Sequence, residues 1–255
     1  MKIWAHRGAS GYAPENSLES FKLATVMGAD GVELDVQLSR DNKLVVIHDE
    51  YIDRVSDGHG LVRDYTLKEL QKYNYNRTHP EYEHASIVEL EEVLDLLKPT
   101  QMSVNIELKT GLCFYRGIED MVLRTVNNMG MEDRVLYSSF NHYTIRKVKE
   151  MSSQARTGIL YSNGIYEPAR YAAELGADAL HPRIYEWRYP GVAAEARKYG
   201  KKIHVWTIDT VSEANECLES GCDAIITNYP DKMLQAVRSW CEMRDERKCG
   251  QEGKV

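Results

Sequence analysis

Val32-Glu33-Leu34-Asp35-Val36-Gln37, the link Leu38-Ser39-Arg40-Asp41-Asn42-Lys43 and Leu44-Val45-Val46-Ile47-His48 form two strand-like runs with too little chain between them for a helix. Parallel strands need a crossover of a dozen or more residues, so these two are predicted to pair as an antiparallel hairpin. That pairing decides how many strands are left to run parallel. Nine β-rich runs alternate with helical patterns: Ile3–His6, Val32–Gln37, Leu44–His48, Ser103–Leu108, Val135–Ser139, Thr157–Tyr161, Ala179–His181, Ile203–Ile208 and Ala224–Thr227. With one run spent on the return of the hairpin, eight parallel strands remain, which is the number of an α/β TIM (β/α)8 barrel.

Helical patterns fall where that fold requires them, over Asn16–Met27, Tyr115–Met129, His142–Met151, Glu167–Leu175, Gly191–Tyr199, Ser212–Ser220 and Asp231–Met243. Met27-Gly28-Ala29-Asp30, Leu175-Gly176-Ala177-Asp178 and Ser220-Gly221-Cys222-Asp223 repeat one helix-to-strand return, expected at the base of the barrel. One domain is expected over 1–255. Residues 50–99, with the turn-rich Asp57-Gly58-His59-Gly60, form a small insertion after the hairpin that caps the mouth, and the polar tail 245–255 is expected to fray.

A chain of 255 residues with 43% hydrophobic residues can bury a full core. Its formal charge of -7 argues against nucleic acid as a partner, because tracking a polyanion needs a basic face. No apolar run approaches the ~20 residues that span a bilayer, so stable membrane insertion is not expected. The five cysteines, odd in number and without a Cys-x-x-Cys pair, read as reduced thiols of a cytoplasmic protein. The oligomeric state is left open, a homo-oligomer included.

The chemistry sits at the ends of the strand runs. In a strand, alternate side chains share a face, so Glu33 and Asp35 point one way, as do Glu107 and Lys109 on the fourth run. Carboxylates on the inner face of a barrel strand are costly without a cation or a proton beside them. Glu33, Asp35 and Glu107 therefore make a ligand set for one divalent cation, and oxygen-only ligation selects a hard ion, Mg²⁺ or Ca²⁺. His6 and His48 form an acid/base pair, one accepting a proton from the attacking oxygen and the other giving one to the leaving group. Three carboxylates, a divalent cation, Arg7 and Lys109 leave a charge of about +1, which complements the single negative charge of a phosphodiester. Trp206, in Val205-Trp206-Thr207, and His181, at the end of its run, read equally as walls of the substrate site or as core.

Taken in order, His6-Arg7-Gly8, Pro14-Glu15-Asn16-Ser17, Glu33-Leu34-Asp35-Val36, Val45-Val46-Ile47-His48-Asp49, Glu107-Leu108-Lys109, Val205-Trp206-Thr207 and Thr227-Asn228-Tyr229-Pro230 resemble the glycerophosphodiester phosphodiesterase family over nearly the whole chain. The resemblance implies a TIM barrel with a small insertion, a divalent cation on Glu33, Asp35 and Glu107, and His6 and His48 as catalytic pair. It also implies phosphate contacts from Arg7 and Lys109 and a supporting role for Glu15 and Asn16. Two departures fall in the insertion: Arg54-Val55-Ser56 stands where the family usually reads Arg-Thr-Thr, and Ile87-Val88-Glu89-Leu90 where it reads Ile-Pro-Thr-Leu.

The expected activity is metal-dependent hydrolysis of small-molecule glycerophosphodiesters to sn-glycerol 3-phosphate and an alcohol. One alternative is a phosphodiesterase on the same barrel acting on lysophospholipids or phosphoinositides, which would need an apolar mouth. The other is a non-catalytic module that holds a phosphodiester.

Overall fold

The hairpin pairs Val36 with Val46, Gln37 with Val45 and Leu38 with Leu44 in antiparallel register. The structure, a computed structural model, describes residues 1–252, with side chains described to Arg244. Its strands are β1 (Lys2–His6), β2 (Gly31–Leu38), β3 (Leu44–Val46), β4 (Ser103–Leu108), β5 (Val135–Ser139), β6 (Arg156–Tyr161), β7 (Ala179–Pro182), β8 (Lys202–Val205) and β9 (Ala224–Thr227). β1 pairs in parallel with both β2 and β9, and β2 continues through β4, β5, β6, β7 and β8 to β9. Eight parallel strands thus close into a TIM barrel, and β3 hangs on β2 as the extra strand.

The helices are α1 (Leu18–Met27), α2 (Leu67–Leu70), α3 (Leu90–Leu97), α4 (Ile118–Met129), α5 (His142–Met151), α6 (Pro168–Leu175), α7 (Ile184–Trp187), α8 (Val192–Lys198), α9 (Val211–Ser220) and α10 (Pro230–Glu252). Strand alternation turns Val32, Leu34, Val36, Val104, Ile106 and Leu108 outward against Phe21 and Ala24 of α1 and Leu90, Val93, Leu94 and Leu97 of α3. Each such fully buried aliphatic side chain stabilises the fold by about 1.5–3 kcal/mol. The stretch 50–99 holds two things. One is a small cluster of its own, with Ile52, Val55, Val62, Leu70 and Tyr75 packed on Val45 and Ile47; the other is α3, which belongs to the shell of the barrel.

The repeated returns have a common physical basis at the base. The carboxylates of Asp30, Asp178 and Asp223 accept from the main-chain N–H of Ile3, Thr157 and Ile203 at 2.9, 2.8 and 2.9 Å, each on the neighbouring strand. In return, each of those three residues accepts the aspartate's own N–H at 2.9 Å. The turn therefore closes both free groups at a strand start, where no ladder partner is available. Inside the base, Trp4, Leu136, Ala179, Ala224 and Ile226 plug the barrel.

Of the tail expected to fray over 245–255, the backbone of α10 runs on to Glu252, and residues 253–255 lie outside the described residues. Among the described residues, Cys113, Cys217, Cys222 and Cys241 are free thiols, and no helix is long and apolar enough to cross a membrane.

Candidate active site

The carboxylates converge because the register aligns them. Glu33 pairs across the sheet with His6 on β1 and Asn105 on β4, and Asp35 pairs with Glu107. Ligand atoms of Glu33, Asp35 and Glu107 all lie within 4.8 Å of one another, and all three residues are buried. Burial raises the Glu33 carboxyl well above its ordinary range, with Asp35 and Glu107 adding to the rise. Burial raises Glu107 as well, against the pull of Lys109. For Asp35, burial is outweighed by His48, Arg7 and Lys109, and the net shift is downward. Asp35 Oδ1 has no hydrogen-bond partner although it is buried. Three crowded carboxylates, two of them hard to ionise and one with an orphaned oxygen, have the chemistry of a hard divalent-cation site, and the residues present fit such an ion.

Cationic side chains brace the trio. Lys109 Nζ lies 2.9 Å from Glu107 Oε1 and 3.9 Å from Asp35 Oδ1. The main-chain N–H of Arg7 donates to Glu33 Oε2 at 3.0 Å, while its guanidinium donates to Glu15 Oε1 at 2.9 Å and stands 3.4 Å from Asp35 Oδ2, close but not aligned for a hydrogen bond. This contact set needs the left-handed backbone of Arg7, at φ 54°. That conformation costs energy for a residue with a side chain and persists because its surroundings hold it. The next residue, Gly8 at φ +79°, lets the loop press against the start of α1, where an added Cβ would sit 2.3 Å from Ser20 Oγ. Asn16 Nδ2 donates to Asp35 Oδ2 at 2.9 Å, so Asn16 holds a member of the trio.

Each histidine is fixed through Nδ1. His6 Nδ1 lies 2.7 Å from Asn228 Oδ1, and Asn228 is itself held by its Nδ2 donating to Asp209 at 2.6 Å and by Ser10 Oγ donating to its Oδ1 at 2.8 Å. His6 Nε2 is 4.0 Å from Glu33 Oε2, and burial, then Arg7, lower the ring's pKa to about 3. His48 Nδ1 lies 2.5 Å from Asp49 Oδ1. Gln37 Nε2 bonds the carbonyls of Ile47, His48 and Asp49 at 2.7–3.1 Å, which pins the chain just after β3 ends. Arg54, from the insertion, donates to Asp49 Oδ2 at 2.5 Å and to both oxygens of Glu15 at 2.7 and 2.8 Å.

The structure thus brings together His6, His48, Glu33, Asp35, Glu107, Arg7, Lys109, Glu15 and Asn16. Trp206 lies at the edge of this group, half-buried, its ring edge-on to Phe140 at 5.5 Å and its Nε1 donating to the carbonyl of His181 at 2.8 Å. His181 lies elsewhere. It is fully buried inside the barrel, its Nε2 2.9 Å from His204 Nδ1, in space that opens because residue 158 is glycine. It does not line the mouth, and its place is the core. Asn228, Asp209, Asp49, Arg54 and Gln37 carry site contacts to which the sequence reading assigned no role.

The family model described as "Glycerophosphoryl diester phosphodiesterase family" matches residues 6–232. A glycerophosphodiester phosphodiesterase of Caldanaerobacter subterraneus subsp. tengcongensis is 40% identical, covering 92% of this chain and 97% of that one. A phosphodiesterase of Oleispira antarctica, whose structure is a complex with the product sn-glycerol-3-phosphate, superposes with a TM-score of 0.86 at 30% identity, covering 93% of this chain and 97% of the other. A glycerophosphodiester phosphodiesterase of Agrobacterium tumefaciens superposes at 0.79, also at 30% identity, over 91% and 97%.

Proposed function

Because the chain belongs to the glycerophosphoryl diester phosphodiesterase family, we propose that it hydrolyses glycerophosphodiesters to sn-glycerol 3-phosphate and an alcohol, using His6 and His48 as base and acid beside a divalent cation. The observation that carries this reading is the pairing of two imidazoles, each tied down through Nδ1, with a buried carboxylate trio that carries Lys109 and Arg7 on its flanks.

The two rings are set for different tasks. Asn228 turns its Nδ2 to Asp209, so its Oδ1 faces His6 and the proton of a neutral His6 ring sits on Nδ1. Nε2 then offers a lone pair, and a pKa of about 3 keeps the ring neutral near pH 7, ready to accept a proton from the attacking hydroxyl. His48 has the Asp49 carboxylate at Nδ1 instead, which fixes the ring and leaves Nε2 as the atom that gives a proton to the departing alcohol.

Glu33, Asp35 and Glu107 would hold the cation, Mg²⁺ or Ca²⁺, which when bound supplies Lewis-acid stabilisation of the phosphoryl oxygens. Lys109 and Arg7 bring positive charge to the phosphodiester, and Glu15 and Asn16 hold Arg7 and Asp35 in place. In the balanced reaction a hydroxyl oxygen bonds to phosphorus, the bond from phosphorus to the alcohol oxygen breaks, and that oxygen takes the proton of His48. Arg54, from the insertion, extends the hold on His48 through Asp49, and the insertion caps that side of the mouth. Trp206 and Phe140 form a wall beside Lys109.

The test is release of glycerol 3-phosphate from glycerophosphocholine by chelator-treated protein, with and without added Mg²⁺ or Ca²⁺, beside Glu33→Ala and His48→Ala. Cation-dependent release lost in both variants is expected. Binding of glycerophosphocholine without turnover under every condition would instead identify a phosphodiester-holding module.

A further inference from the structure

Strand register sorts the barrel interior into layers of four side chains drawn from alternate strands. Glu33, Ser138, His181 and Ile226 share one layer, and Trp4, Asn105, Gly158 and His204 fill the layer beneath it. Asn105 therefore stands between two members of the upper layer. On one side its register partner is Glu33 of β2, and on the other Ser138 of β5 comes two residues beyond its partner Leu136. Gly158 continues the row, since it pairs with Ser138 and its missing side chain leaves space for the His181 ring, whose Nε2 falls 2.3 Å from where a Cβ would be. Polar residues thus run from Glu33 to the His181–His204 pair, with ring nitrogens 2.9 Å apart.

Along this row the side chains lack hydrogen bonds. Nδ2 and Oδ1 of Asn105, Oγ of Ser138 and Nδ1 of His181 are buried without a partner among the described residues, as is Oδ1 of Asp35, two residues along β2 from Glu33. Asn105 is 1% exposed, and Ser138 and His181 are 0% exposed. An amide has the capacity for several hydrogen bonds and this one makes none, a state that buried polar groups keep only where something else supplies the partner. The neighbouring Ile226, Leu136 and Leu160 are apolar and cannot supply it. A water molecule both donates and accepts, and converging buried polar groups are where internal waters settle.

We propose that a fixed water is bound between Asn105, Ser138 and His181, and that Asn105 and Ser138 act through it as positioning residues for Glu33 and Glu107 in the cation site. The inference rests on the phosphodiesterase reading above and deepens it. Carboxylates that ligate an ion are themselves held by hydrogen bonds, and these outer partners govern affinity together with the ligands. From the mouth side, Lys109, the main chain of Arg7 and Asn16 hold the trio. From the interior side, register puts Asn105 beside Glu33 and Ser138 beside Glu107. The water completes that inner support and gives the amide, the hydroxyl and the His181 ring the partners they lack.

The experiment titrates Mg²⁺ and Ca²⁺ calorimetrically into chelator-treated wild type, Asn105→Leu, Asn105→Ser and Ser138→Ala. Deuteron relaxation dispersion counts long-lived internal waters in each, and turnover of glycerophosphocholine is followed alongside. Asn105→Leu keeps the branched shape without the polar atoms; it should hold one long-lived water fewer, bind the cation about tenfold or more weakly, and lose kcat with KM within about twofold of wild type. Ser138→Ala should move both readouts the same way. Asn105→Ser, which keeps a hydroxyl and leaves room for the water, should recover most of the affinity, whereas a packing role would rank the leucine variant above the serine one. An unchanged water count, or a cation affinity within about twofold of wild type, in either Asn105→Leu or Ser138→Ala would overturn the inference and leave the phosphodiesterase reading intact. Should Asn105→Leu fail to fold, Ser138→Ala decides by the same two readouts. Wild type that neither binds a divalent cation nor cleaves glycerophosphocholine would sink the underlying reading, and this inference with it.

Discussion

Asn228 Oδ1 stands 2.7 Å from His6 Nδ1, joining residues 222 positions apart across the seam where β9 meets β1. The amide is anchored in turn by Asp209 and Ser10, so it has one orientation to offer the ring. Asn228→Ala should therefore give a folded protein whose kcat falls roughly 10–100-fold with little change in KM, because the ring loses its tautomer and its aim. Steady-state kinetics within twofold of wild type would mean that the barrel wall alone orients His6.

Arg54 links Glu15 to Asp49, and through them the Arg7 and His48 sides of the site. Its side chain is 44% exposed, so the stability it contributes is modest, about 1 kcal/mol or less. Its effect on geometry should be larger. Arg54→Met is expected to lower kcat/KM about tenfold while shifting the urea midpoint slightly, and a large stability loss with unchanged kcat/KM would make Arg54 a fold residue instead.

The buried carboxylate trio should oppose folding until a cation arrives. Millimolar Mg²⁺ or Ca²⁺ is expected to raise the melting temperature of chelator-treated protein, by about 5 °C or more where the ion reaches a hundredfold its dissociation constant. Glu33→Gln should melt higher than wild type without cation, since it removes one of three crowded charges, and should show no cation-induced rise. A rise of wild-type size in Glu33→Gln would remove Glu33 from the ligand set.

Acid should destabilise the barrel through a histidine that has no part in the proposed reaction. Burial lowers the pKa of His204 from 6.5 to about 4. The unfolded chain takes up a proton below pH 6.5 whereas the folded ring stays neutral down to about 4, so its contribution is full above 6.5 and is lost as pH falls from 6.5 to 4. That loss is at most about 3 kcal/mol. Urea unfolding between pH 7.5 and 4.5 should show a shallower decline for His204→Gln than for wild type, and parallel profiles would refute the assignment.

The architecture and the convergence of the three carboxylates were legible for the same reason: both follow from local spacing. A six-residue link cannot hold a crossover, and a strand's alternation puts Glu33 and Asp35 on one face. That alternation also faces Gln37 inward, so its grip on the His48 segment lay within reach of the same argument. His181 shows where spacing stops. Parity turns it into the barrel but does not give its height along the axis, and height separates a mouth residue from a core one. Arg54 and Asn228 act across 39 and 222 positions of chain, distances that no local pattern encodes.

The aspartate returns at the base carry a consequence for how this chain can change. Asp30, Asp178 and Asp223 fix the starts of β1, β6 and β8 without help from any residue at the mouth. These strand starts are thus fixed from the end of the barrel opposite the candidate site. A substitution in the insertion or in a loop at the mouth leaves these three strand starts as they are, because no residue from that end takes part in their contacts.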